Sequence, residues 1–273
     1  MTLNTLNGQV PEWLRQVDNY RRADHLSVVG ESAALDHDVA LHNRYESKTG
    51  DFGHVESPSS PYYTTAGAQA GLSSDLYEGI SADLAVPGWM GAPFHALGIL
   101  NPDLHVVGFS NNGLFSGLYL SSSDTNETAN PWPVLWPGAA SKVDLATYSG
   151  EDPDATAACP KAWGSGAGLP IIVMFGQGNA SATSASATLV DNGRRIRTCV
   201  VTATNYHSSV SAPGGLTGSP TEVGRSLLAY YDAVFVIPEH PLSPGTRCTV
   251  DLVVGTNSAS WSFRIDYHVL SGL

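Results

Sequence analysis

The stretch GWMGAPFHALGILNPDLHVVGF, residues 88–109, decides the fold. Pro93 and Phe94 lead into His95 and a short apolar run, which Asn101-Pro102-Asp103 interrupts before a strand-like LHVVGF. His95 is therefore either a site residue or the plug of a turn. Toward the C-terminus, residues 104–109 and 114–120 read as two strands joined by SNNG, with Asn112-Gly113 supplying the positive φ values of a tight hairpin turn.

Toward the N-terminus, residues 51–75 are rich in Gly, Pro, Ser and Thr and form a long connection with one small-residue run suited to a helical turn. Connections of that length are often functional. Before it, Pro11 suits a helix start, and Trp13, Val17 and Tyr20 fall on one face. A second helix carries Leu35, Val39 and His42 near one face and closes at Gly50. Helices, a loop and a hairpin make an α+β reading.

Beyond residue 121 the texture changes. SSSDTNETANPWPVLWPGAA and YSGEDPDATAACPKAWGSGAG have no helical period, whereas residues 169–266 are a succession of short β-like runs separated by turns such as Asp191-Asn192-Gly193. The expected organisation is a domain over residues 1–125, a Pro/Gly/Trp-rich connecting segment over 126–168, and a small all-β sandwich over 169–273. Trp132 and Trp136 in the connector suit either sugar stacking or covering a domain seam.

Composition narrows the function. The 273 residues are 42% hydrophobic and 14% charged, with a formal net charge of -12. Nucleic acid and anionic membrane surfaces repel such a chain, because phosphate binding needs Lys and Arg clusters. The longest apolar runs fall far short of the roughly 20 residues that cross a bilayer, so no transmembrane segment is expected. MTLNTLNGQV shows no signal peptide. Cys159, Cys199 and Cys248 form no CxxC, which excludes a zinc ribbon or finger. Cys199 and Cys248 both lie in β-like runs, where a strand-bridging disulfide can form and would leave Cys159 unpaired. The sequons at Asn126 and Asn179 matter only in a host that glycosylates secreted proteins.

The chemistry-bearing residues are few. There is no GxSxG, HExxH or SxxK, so no nucleophile motif supports ordinary hydrolysis. His54, with Glu56 two residues later, and His95 can hold a divalent ion such as Zn²⁺ with an open position, but they stand 41 residues apart and must be brought together by the fold. His42, inside a helix, reads as a packed histidine, and His105 as a solvent-facing strand residue.

The order DNYR (18–21), LDHDVALHNRY (35–45), FGHVESPSSPYYTTAGAQAG (52–71) and GWMGAPFHALGILNPDLHVVGF resembles bacterial members of the CAP superfamily, also called SCP/PR-1-like or cysteine-rich secretory protein domains. The likeness covers roughly residues 10–122 and is most specific in the segment that matches W-M-x-[SA]-P-x-H-R-x-x-[IL]-L-x-P. It implies an α-β-α sandwich whose cleft commonly holds two histidines and two acidic residues able to bind a divalent metal. His54 and His95 match the histidines. Where many members read G-E-N-[IL], this chain has Ser74 at the glutamate position and Asp75 at the asparagine position, with Glu78 and Glu56 as further carboxylates. Ala96 stands where Arg is usual.

AVFVIPEHPLSPGTRCTVDLVVGTNSASWSFRI is similar to bacterial Ig-like modules, which usually space or present a partner domain. Together the likenesses imply a secreted or cell-envelope protein that binds a lipid, envelope glycan or protein ligand in a His54/His95 cleft. A metal-dependent hydrolase with Glu56, Asp75 or Glu78 as base, and an adhesion module without cleft chemistry, are the alternatives.

Overall fold

Pro11, which has no N–H to leave unpaired, immediately precedes helix α1 (Glu12–Ala23); of the expected face Val17 and Tyr20 are buried, Leu14 is buried with them, and Trp13 is only half-buried. The computed structural model describes residues 10–122, 132–161, 163–176, 184–209 and 216–267. Both sequons lie outside the described residues. The architecture is α+β.

The first half is built on a four-stranded sheet in the order β1-β3-β4-β2. Its strands are β1 (Gly30–Glu31), β2 (Ser74–Glu78), β3 (Leu104–Asn111) and β4 (Phe115–Ser122). Helix α2 (Ala33–Thr49) is capped by Ser32 at its start and by Gly50 in the left-handed region (φ 75°) at its end. It lies across β3 and β4 where Gly108 and Gly117 leave room. A Cβ on Gly108 would collide with Leu35, and one on Gly117 would come to 2.6 Å from Val39. Asn43 Nδ2 donates to the Ser110 and Phe115 carbonyls, and Phe109 N–H donates to Asp36 at 2.8 Å, so polar contacts fix the same docking. The hairpin between β3 and β4 differs from the two-residue turn expected. Only Gly113 has a positive φ (94°), and Asn112 instead accepts the N–H groups of Leu114 and Phe115 through its side chain.

On the other face run α1, α4 (Ala82–Met90) and α5 (Pro93–Ile99). Trp89, fully buried, donates from Nε1 to the Leu76 carbonyl and meets Phe109 edge to face, while Trp13 stacks on Phe109 at 5.2 Å. The small-residue run forms α3 (Thr65–Leu72), which packs on α2.

The second half holds two sheets. One has the order β10-β11-β7-β5, from β5 (Val134–Trp136), β7 (Ile171–Met174), β10 (Thr198–Val201) and β11 (Ala233–Pro238). The other has the order β6-β13-β12-β8-β9, from β6 (Lys142–Val143), β8 (Ala185–Asp191), β9 (Arg194–Ile196), β12 (Arg247–Val254) and β13 (Asn257–Ile265). Strands β7 and β11 are buried at every position, the signature of a sheet covered on both faces, whereas β12 alternates with one face to solvent. The Pro/Gly/Trp-rich segment thus contributes a strand to each sheet. Residues 220–230, between expected strands, form helix α6 (Pro220–Tyr230), opened by a Ser219/Glu222 capping box.

Three ties bind the halves. Tyr20 meets Trp136 edge to face at 5.6 Å and donates to Asp144 at 3.0 Å. Gly138 lies against the Ala23 carbonyl, closer than a side chain permits. Phe94 inserts between Tyr206 and Phe235, with ring centroids at 5.2 and 5.1 Å. Trp136 is fully buried and so covers the seam; it has no face open to a sugar.

The disulfide is not the Cys199–Cys248 bridge expected. Cys159 pairs with Cys199 across 40 residues, and Cys248 is the free thiol, buried in β12 beside Asp191. Cys248 pairs in register with Phe263 and Asp191, on a different sheet from Cys199, so the two β-like runs are not neighbours. Thiol titration of the native protein should therefore detect no reactive cysteine, and titration after denaturation should detect one. Replacing Cys159 and Cys199 together by serine should lower the unfolding free energy by about 2–4 kcal/mol in a denaturant series. A Cys199–Cys248 linked peptide in a non-reducing digest would contradict this pairing.

Candidate functional site

The loop that carries His54 is pinned from beneath by α2. His42 is buried and uses both ring nitrogens, Nδ1 to Glu56 at 3.0 Å and Nε2 to the Gly53 carbonyl at 2.9 Å. Glu56 also accepts the Thr64 N–H, and Tyr45 Oη accepts the Ser57 N–H. His42 is thus the packed histidine its helical position suggested. Glu56 is not brought to the cleft, because its carboxylate is turned inward onto His42 and Thr64. His54 emerges from this loop with Nδ1 2.8 Å from the Gly71 carbonyl at the end of α3. Gly71 is required there, since a Cβ would run into the His42 ring and the His54 carbonyl.

His95 is held from the other side. Its Nδ1 is 3.0 Å from Glu151, whose side chain is wholly buried and also accepts the backbone N–H groups of Phe94 and His95 at 2.9 and 3.3 Å. Glu151 comes from the segment after β6, which Ser149 clasps to Gly91 through a backbone hydrogen bond of 3.1 Å. Nothing local in YSGEDPDAT marks Glu151 as a partner of a histidine 56 residues earlier.

The edge strand β2 borders the same space as the two histidines. A cavity of about 410 Å³ is bounded by His54, His95, Phe52, Tyr77, Glu78 and Glu151, among others. A second, of about 320 Å³, also reaches His54 and His95, and Asp75 lines it. The structure therefore brings His54, His95, Asp75 and Glu78 to one cleft, leaves Glu56 out, and adds Glu151 and Asp152. Among the described residues, no Lys or Arg lines either cavity.

The tautomers follow from the partners. A carbonyl only accepts, so His54 must carry its proton on Nδ1, and the carboxylate of Glu151 imposes the same on a neutral His95. Each Nε2 is left with a free lone pair. Burial lowers the His54 pKa, with the neighbouring His95 and His42 adding to the effect. For His95, burial acts downward, but the hydrogen bond to Glu151 and the charges of Asp75, Glu151 and Asp152 outweigh it and hold the imidazole above its usual range. Asp75 is pushed up to about 7, mainly by burial, with Glu151 adding and His95 opposing. Its Oδ2 has no hydrogen-bond partner within the protein.

Two imidazoles with Nδ1 anchored and Nε2 free are the arrangement found behind metal-bound histidines. Among the described residues, no three His, Cys, Asp or Glu side chains are gathered as a coordination set.

No family model and no curated protein match the chain. Among solved structures, an extracellular protein containing a SCP domain from Bacillus anthracis is similar at 18% identity and a TM-score of 0.34, covering 41% of this chain and 40% of that one. The chain thus spans well under half of that structure. Among the described residues, no helix is long and apolar enough to cross a membrane.

Two outcomes follow from the site. Glu151→Gln should lower the His95 titration midpoint by about one pH unit or more, read from its ring protons by NMR; an unmoved midpoint would exclude the pairing. Because the folded pKa of Asp75 is raised, its contribution to stability is fully present below the ordinary carboxyl value of 3.8 and is lost as pH rises toward about 7. Asp75→Asn should accordingly gain stability relative to wild type between these limits, and melting curves that stay parallel across that window would contradict the assignment.

Proposed function

We propose that the chain is a secreted or cell-envelope binding protein, a CAP-like α-β-α domain joined to an Ig-like β-sandwich, which takes a ligand in the His54/His95 cleft. The observation that carries this reading is the convergence of the two histidines, 41 residues apart, on adjoining cavities, each with its Nδ1 anchored and its Nε2 left free. Helices on both faces of the β1–β4 sheet support the CAP-like assignment. The Cys159–Cys199 disulfide supports an oxidising compartment outside the cytosol.

Neutral imidazoles at Nε2 are acceptors for ligand hydroxyl or amide groups, and they are equally ligands for Zn²⁺. When bound, such an ion would supply a Lewis-acidic centre for an oxygen of the ligand. The roles of the protein groups do not depend on it: Gly71 and Glu151 set the imidazoles, and Phe52 and Tyr77 form an apolar wall beside them. Lipid, envelope glycan and protein surface all present groups that suit this chemistry.

One observation favours a second reading, metal-dependent hydrolysis. Asp75, with its pKa raised to about 7, is poised as a general base near neutrality, a role Glu56 cannot fill because it is bound to His42.

Titrating Zn²⁺ into the protein at about pH 8, where the imidazoles are neutral, distinguishes these readings. Wild type is expected to bind one ion, and His54→Ala and His95→Ala each to lose it while melting as wild type does. If the variants bind zinc as wild type does, the two histidines do not act together and the cleft reading falls. If one ion binds and no ester is cleaved, the hydrolase reading falls instead.

A further inference from the structure

The second cavity is not confined to the first half. One wall is Leu72 and Leu120, at the end of α3 and on β4; the facing wall is Leu227 and Tyr231, at the C-terminal end of α6 in the second half. These side chains are half-buried or exposed, Leu72 being 55% accessible, so apolar surface from both halves is left facing a shared space. At the floor are His54, His95, Ser74 and Asp75. Ser74 Oγ and Asp75 Oδ2 have no hydrogen-bond partner within the protein, although both residues are more than nine-tenths buried. Buried polar atoms without partners are uncommon in folded proteins, and they set this polar floor apart from the apolar walls. The charges select the head group that suits it. Asp75 and Asp152 line the cavity and, among the described residues, no Lys or Arg does, so an anionic head finds no fixed cation to pair with while a neutral hydroxyl finds acceptors.

We propose that this cavity binds a single-chain amphiphile with an uncharged hydroxyl head, the head meeting His95 and Asp75 and the chain lying between Leu120 and α6. The proposal rests on the cleft reading above and deepens it. It also gives the second half a role beyond spacing, because α6 completes the site. A ligand of this kind is amphipathic in the same sense as the cavity, polar at the histidines and apolar toward α6.

The test is calorimetric titration of 1-octanol and of octanoate into wild type, His95→Ala and Leu227→Trp, with thermal melts to confirm folding. Leu227→Trp fills the α6 side of the cavity without touching the histidines. Octanol is expected to bind wild type, to bind each variant about tenfold or more weakly, and to bind better than octanoate. If wild type takes no octanol, or octanoate binds as well, the proposal is overturned. Weakening by His95→Ala but not by Leu227→Trp would overturn the α6 wall and leave the cleft standing. Weakening by Leu227→Trp but not by His95→Ala would overturn the role of the histidine at the head, and with it the cleft reading.

Discussion

The Glu151 carboxylate, wholly buried and received by His95 Nδ1 and two backbone N–H groups of α5, is the interaction on which the site depends. A buried carboxylate without such partners is costly, and breaking one partner from it is typically worth about 3–5 kcal/mol. Here the same hydrogen bonds orient the imidazole, fix its tautomer and hold the segment after β6 against the start of α5. Phe94, one residue before His95, performs the complementary task by packing into the second half against Tyr206 and Phe235. Adjacent residues on one short helix thus face a hydrophobic junction and a polar cleft.

The junction explains why the two halves share one hydrophobic core. The β7 and β11 strands need cover on both faces, and the first half and α6 supply it on the side away from the five-stranded sheet. Tyr20 on Trp136 and the close approach of Gly138 to Ala23 extend the contact along α1. A cleft built at such a junction inherits its walls from both sides, which is how residues of α6 come to line a cavity that also contains His54.

Much of the first half was legible because its signals are local. The face of Val17 and Tyr20, the Gly50 stop and the strand pattern of 104–109 each rest on spacing within a few turns, and the structure follows them. The convergence of His54 and His95 was legible through resemblance, not spacing. Glu56 misled because nearness in sequence to His54 says nothing about direction, and the loop turns it onto His42. Glu151 was hidden in a stretch with the composition of a linker, since its importance comes from a contact across the chain. The disulfide partner of Cys199 was hidden for the same reason. Helix α6 had a readable signal in Ser219-Pro220-Thr221-Glu222, a capping box with proline at the first helical position, but neighbouring β-like runs obscured it.

The site rests on two imidazoles that line one cleft, each anchored through Nδ1 so that its proton sits there and Nε2 keeps its lone pair. Two-dimensional nitrogen–proton correlation NMR of the histidine rings at about pH 8 reads this state directly. His54 and His95 are both expected to show protonated Nδ1 and unprotonated Nε2. A proton on Nε2 of His95 would mean that Glu151 does not hold it, and the account of the cleft would be contradicted at its base.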